Sequence, residues 1–280
     1  MKKTLMTIAA LLVAAGMVMV SCQKPAAPKD DNALVDDETP GTNTGDNTGD
    51  NTGDNTGDNT GDNTGDNTED KTPASLKGSN YYPIIMDAVS FEAIKDKVAA
   101  DIRTQDGGDA AATRPLYIWN GYVGGEASGL NFYGNAEGYM CLAVAENAGW
   151  SGFGVFLKKD DPSFDKMKEI TGDYYFHFAY KGPANVVHAL YPGWGTVNYQ
   201  MSVGSGNAFV DQGNTFDFIQ PLSGAFVPNE WNEYEIKVSD MGIDFTAAPA
   251  EEGGQNIFCG LSGGTAGVTL SLDAVFFYKK

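Results

Sequence analysis

The sequence predicts an all-β, antiparallel β-sandwich with one N-terminal helix, preceded by a disordered stalk. Three observations carry this reading. From Leu116 to Tyr278, short runs rich in aromatic and β-branched residues recur, separated by Gly, Pro, Asn and Asp. One amphipathic stretch, "SFEAIKDKVAADIRT", stands ahead of them. Ahead of that, the tetrapeptide "NTGD" is repeated six times from Asn43 to Asp66, and "NTED" follows to Asp70.

In chain order, residues 1–21 read as a secretory signal. Lys2 and Lys3 precede a short apolar run from Leu5 to Val20, too short and wrongly flanked for a stable membrane span. Residues 22–74 read as an acidic stalk. A polar, low-complexity tract buries too little apolar surface to offset the entropy of ordering it. Gly in each repeat keeps the chain supple and Asp repulsion extends it, so some fifty residues would span roughly 40 Å. The repeat lacks the nine-residue period of calcium β-rolls. It also lacks the Asn-x-Ser/Thr sequon, because Thr directly follows Asn.

Residues 75–112 read as a helical lead-in packed on the sandwich. Ser90 is the expected N-cap, with Phe91, Ile94, Val98 and Ile102 on one face, and the helix is expected to end before "QDGGD". Residues 113–280 read as the sandwich. Ten strands are expected: 116–120, 139–146, 152–158, 174–180, 186–191, 197–203, 215–219, 233–238, 257–261 and 268–278. "YEIKV" alternates as a half-buried strand should. About ten strands with no helix between them point to an antiparallel sandwich.

Net charge is −19 over 280 residues, which argues against nucleic acid as a partner. Three cysteines are present. Cys141 and Cys259 lie in apolar strand-like runs, where a disulfide and two buried thiols are both consistent with the sequence.

Several motifs carry resemblances. "VMVSC" resembles the lipobox of bacterial lipoproteins, which implies lipidation at Cys22 and anchoring in a membrane. Gln23 in place of Asp implies the outer membrane, and "PKDD" resembles the acidic export tag of surface lipoproteins of the Bacteroidetes, implying a domain that faces the cell exterior. "GDYYFHFAYKG", "NEWNEYEIKVSDM" and "VTLSLDAVFFYKK", in that order, resemble strands of galactose-binding-like jelly rolls, the fold of many carbohydrate-binding modules. The resemblance implies a jelly-roll topology and non-catalytic binding of a polysaccharide or oligosaccharide, beside an outer-membrane transporter or other surface protein. It also implies that Asp273, on the closing strand, helps to hold a structural Ca²⁺, with no other cofactor. The fold alone does not fix the function.

Sugar rings stack on flat aromatic faces while their hydroxyls seek hydrogen-bond partners. Trp194, in the Pro/Gly loop "YPGWGTVNY", and Trp119 with Tyr122, in "LYIWNGYVGGEASG", are the expected platform. Tyr191, Asn120, Asn131, Asn198 and Gln200 are the expected polar partners. Trp150 and Trp231 read as core. Enzyme chemistry is poorly represented. His177 and His188 fall inside strands, "GWSGF" lacks the second Gly of a nucleophile elbow, and Glu230 with Glu233 is the acid pair a glycosidase would use. A structural or adhesive surface protein is the competing class, and a glycan-active enzyme the weaker third.

Overall fold

The computed structural model describes residues 71–119, 121–125, 127–136, 138–146 and 148–280. The expected signal, Cys22 and the repeat lie outside the described residues. Among those described, no helix is long and apolar enough to cross a membrane.

Fifteen strands are formed among these residues: β1 (Ser79–Ile85), β2 (Leu116–Trp119), β3 (Tyr122–Gly124), β4 (Met140–Val144), β5 (Trp150–Lys158), β6 (Tyr175–Lys181), β7 (Val187–Trp194), β8 (Val197–Asn198), β9 (Met201–Gly204), β10 (Val210–Asp211), β11 (Asn214–Thr215), β12 (Asp217–Phe218), β13 (Asn232–Lys237), β14 (Gly254–Gly263) and β15 (Thr269–Lys279). Two sheets result. One runs β13-β6-β15-β4-β3, with β1 also paired to β15; the other runs β12-β9-β7-β14-β5-β2, with β8 beside β7. The chain crosses between the sheets from β4 through β7 and again from β13 through β15, which gives the jelly-roll sandwich. All pairs are antiparallel except β9 with β12.

Period-two alternation fills the space between the sheets. Phe153, Val155 and Leu157 of β5 meet Phe176, Phe178 and Tyr180 of β6 and Leu270, Leu272 and Phe277 of β15 in the main core. A β-bulge after Asp273, with Ala274 at φ 50°, shifts the alternation of β15. Ala274, Phe276 and Tyr278 therefore face outward, where they join Tyr81, Ile94 and Leu76 in a second cluster. The lead-in thus covers the outer face of the six-stranded sheet.

The lead-in itself departs from the expected helix. Helix α1 spans only Ala88–Ile94, and its N-cap is Asp87, whose carboxylate accepts the Ser90 amide at 2.9 Å. A 3-10 turn over Lys95–Lys97 follows, and Val98 is extended. Beyond it, the Ala99 and Thr104 amides donate to the carbonyls of Tyr81 and Ile84, both at 2.9 Å. The free edge of β1 needs partners, and satisfying it outweighs the helical pattern of residues 98–104. β1 was missed because "SNYYPII" contains Pro83, tolerated here on a strand paired on one side to β15. Helix α2 (Val238–Met241) is a single turn closed by Gly242 at φ 68°.

Cys141 on β4 and Cys259 on β14 lie in different sheets, and no disulfide joins them.

Candidate functional site

The outer face of the seven-stranded sheet is built differently from its counterpart. Leu116 and Ile118 of β2 turn inward onto the main core, so Tyr117 and Trp119 turn outward. Strand register then sets two rows across the sheet. In one, Tyr117 stands beside Gly154, Gly154 beside Cys259, and Cys259 beside Tyr191. In the other, Trp119, Gly152, Leu261, Ala189 and Ser202 follow in the same way. Tyr117 and Tyr191 are three strand spacings apart, about 14 Å.

The two glycines leave room for indoles to lie on the sheet. A Cβ on Gly154 would fall 2.5 Å from Cζ2 and Cη2 of Trp119. A Cβ on Gly152 would meet Leu261 at 2.7 Å and Cζ3 of Trp150 at 3.1 Å. Trp150 is 45% exposed, while Trp119, Tyr117, Phe156, Leu261 and Tyr191 are half-buried. Among the described residues no second hydrophobic cluster covers this face, in contrast to the other sheet.

Polar groups flank the rings. Asn256 places Oδ1 3.0 Å from the position a Gly154 Cβ would take; this oxygen has no protein partner, and Nδ2 reaches Glu251 at 3.4 Å. Asn198 lies against Gly193 in the same way, beside Tyr191. Tyr191 meets the ring of Phe216 edge-on at 5.4 Å, next to the β10–β11 hairpin. Burial pushes the Cys259 thiol up to about 12, so it is a neutral, weakly reactive group.

The expected platform is not assembled as read. Trp194 is 1% exposed; its Nε1 donates to the Ala247 carbonyl at 2.9 Å, and its ring packs on Phe164 and Phe245. It belongs to β7, not to a loop, and its strand parity turns it into the core. Tyr122 is likewise buried in the main core on β3, in the other sheet from Trp119. Trp119 and Tyr191 do reach the open face. Asn120 lies outside the described residues. Gln200 is exposed, and Asn131 is buried beneath the other sheet's covering loop. Trp150, read as core, is the exposed indole. Trp231 is half-buried, donating from Nε1 to the Leu130 carbonyl at 3.0 Å and meeting Tyr139 edge-on at 4.8 Å. Sequence reasoning missed Tyr117, Trp150 and Asn256. The available signal was the Gly-x-Gly pair in "WSGFGVF", since glycine inside a strand marks a close approach.

Glu233 is committed elsewhere. Its carboxylate meets Nε2 of His177 at 2.9 Å, and this bond holds the Glu233 carboxyl below its ordinary range. The Nδ1 of His177 faces the Ala274 carbonyl at 2.7 Å, which can only accept. This pair ties β6, β13 and β15 together and does not flank the open face.

Asp273 is buried, accepting the amides of Phe132 at 3.0 Å and Ala274 at 2.8 Å. Burial raises its carboxyl to about 6, and the nearby charge of Asp87 adds to the rise. Asn131 and Asn135 lie between them: Asn131 Oδ1 accepts the Asn135 amide at 2.8 Å, and Asn135 Nδ2 donates to Asp87 Oδ1 at 3.3 Å. Asp87 Oδ2 and Asn131 Nδ2 are buried without a protein partner. Among the described residues no group of three His, Cys, Asp or Glu side chains forms a metal-binding set.

No protein-family model matches the chain, and no curated protein sequence matches it significantly. Several solved structures are similar to it. A family 30 carbohydrate-binding module is 12% identical, covering 58% of this chain and 92% of its own, with a TM-score of 0.34. The family 11 module of a cellulosomal cellulase of Clostridium thermocellum is 12% identical over 62% of this chain and 92% of its own, with a TM-score of 0.31. The enzymatically active domain of a tailspike protein of bacteriophage CBA120 is 11% identical over 60% of this chain and 19% of its own, with a TM-score of 0.29. At such scores these likenesses decide nothing about a ligand.

Proposed function

We propose that the domain binds a polysaccharide or oligosaccharide without catalysing its cleavage, on the outer face of the seven-stranded sheet. The observation that carries this is the pair Gly152 and Gly154 with two indoles, Trp119 and Trp150, laid against them on an uncovered face. Exposed rings offer stacking surface to the C–H face of a sugar, and the exposed Asn198 offers a partner to its hydroxyls. Tyr117 and Tyr191, on one row, extend the face for a chain of several rings. Affinity electrophoresis of the protein in a panel of neutral polysaccharides tests this, with Trp119→Ala and Trp150→Ala as the diagnostic variants.

We further propose a cell-surface lipoprotein, lipidated at Cys22, with the acidic repeat as a tether that holds the domain away from the outer membrane, beside a transporter or other surface protein. Support comes from the lipobox-like "VMVSC" and the composition of the repeat.

We also propose that Asp273 helps to hold a structural Ca²⁺. In support, Asp87 Oδ2 is buried without a protein partner and its charge acts on the buried Asp273 carboxyl, so two carboxylates, hard oxygen donors of the kind Ca²⁺ takes, lie within reach of each other. Such an ion would neutralise the pair and pin the Asn131–Asn135 segment to β15.

A further inference from the structure

One end of the space between the sheets is polar. Ser151, Ser262 and His188 stand side by side on β5, β14 and β7, all turned inward. Facing them from the other sheet are Tyr122, Tyr180 and Tyr234. The Tyr180 hydroxyl lies 2.8 Å from His188 Nδ1, and the Ser262 hydroxyl lies beside that of Tyr122. All six residues are at least nine-tenths buried. Yet Ser151 Oγ and His188 Nε2 have no protein partner, and neither Tyr122 Oη, beside Ser262, nor Tyr234 Oη, beside the Gly204 backbone, closes a full hydrogen bond.

Burial lowers His188 to about 3, so the ring is neutral and carries one proton. If Tyr180 donates to Nδ1, Nε2 is a donor with nothing to meet. If Nδ1 carries the proton, Nε2 is an acceptor with nothing to meet. Either tautomer leaves the same atom wanting. A buried polar group without a partner carries its full desolvation penalty, and four under-bonded groups at one end of a core would together rival the net stability of a domain.

We infer that this end of the sandwich binds a cluster of water molecules that joins Tyr122, Tyr234, Ser151 and His188 Nε2. The groups are neutral and mix donors with acceptors, which suits water and gives no charge to hold an ion. The cluster sits under the Trp150–Gly152 end of the open face, because Ser151 lies between those two residues and points the other way. It would stiffen the strand that carries the exposed indole.

The sign of a mild deletion tests this in the full chain. With water bound, Tyr122→Phe and Tyr234→Phe each remove a hydrogen bond that is made, and Tm falls by a few degrees; Ser151→Ala acts in the same direction. In a dry core each substitution removes an unmet hydroxyl, and Tm rises. A rise or no change in all three variants overturns the inference. A crystal structure gives the direct readout: ordered water within hydrogen-bond distance of His188 Nε2 supports it, and side chains that rotate to satisfy one another without water refute it.

Discussion

The indole of Trp119 rests on the bare backbone of Gly154, so closely that a single methyl group on Gly154 would fall 2.5 Å from its outer ring carbons. The platform is therefore a property of two strands, with β5 supplying the floor and β2 the ring. Gly154→Ala is expected to push the ring off the sheet. Overpacking of this kind costs about 1–3 kcal/mol. Glycan binding should fall at least several-fold while the far-ultraviolet circular dichroism stays that of a β-sandwich. Unchanged affinity would show that the orientation of Trp119 is irrelevant to the ligand.

Trp194 and Trp150 should behave in opposite ways. Trp194→Ala empties a buried site beside Phe164 and Phe245 and should cost about 3–5 kcal/mol, lowering Tm by roughly 10 °C. Trp150→Ala, at a residue 45% exposed, should leave Tm within a few degrees and reduce binding. Thermal denaturation of the two variants side by side decides it.

The raised carboxyl of Asp273 gives a pH dependence of definite sign. Its folded value, about 6, lies above the ordinary 3.8. Between those values the native state holds a proton that the unfolded chain has released. This group's contribution to stability is therefore full below pH 3.8 and is lost as pH rises through about 6. The full effect is roughly 3 kcal/mol, at about 1.4 kcal/mol per pKa unit. In chelator, the stability of the parent minus that of Asp273→Asn should fall across this window. Glu233, held low by His177, acts in the opposite sense in both proteins and cancels in the difference. A flat difference would mean that Asp273 is ionised throughout.

Added Ca²⁺ should reverse that loss at neutral pH. The parent's Tm should rise with Ca²⁺ and fall on chelation, by an amount that grows with ligand concentration. Asp87→Asn and Asp273→Asn should respond to neither. Equal responses in parent and variants would place any calcium effect elsewhere.

On the proposed lipoprotein reading, anchoring rests on one atom. Cys22→Ala should move the protein from the outer-membrane fraction to the soluble fraction. Retention of the variant in the membrane fraction would remove the lipoprotein reading.

Strand existence was legible because β-rich runs punctuated by Gly, Pro and Asn carry their own period; the expected strand 268–278 is β15 almost to the residue. Facing was not legible. Trp194 looked like a loop residue because Pro192 and Gly193 interrupt the pattern, yet β7 runs through both, and parity with Leu190 turns the indole inward. Trp150 was misassigned for the converse reason, since it shares the outward parity of Gly152 and Gly154 on β5 and its indole lies over Gly152. The lead-in was misread because the apolar spacing at Phe91, Ile94, Val98 and Ile102 is helical, while the hydrogen-bonding needs of β1 are invisible until its partners are known. Which sheet face is covered depends on the bulge at Ala274, a backbone feature with no sequence signature here.

The most direct test of the account is binding of the parent and of the Trp119→Ala, Trp150→Ala double variant to a broad panel of polysaccharides. The parent should bind at least one glycan. The double variant should lose at least tenfold in affinity, about 1.4 kcal/mol, at nearly unchanged Tm. Absence of binding by the parent across the panel, or equal binding by both proteins, would contradict the assignment of the open face as a glycan site and favour a protein-contact role for the same sandwich.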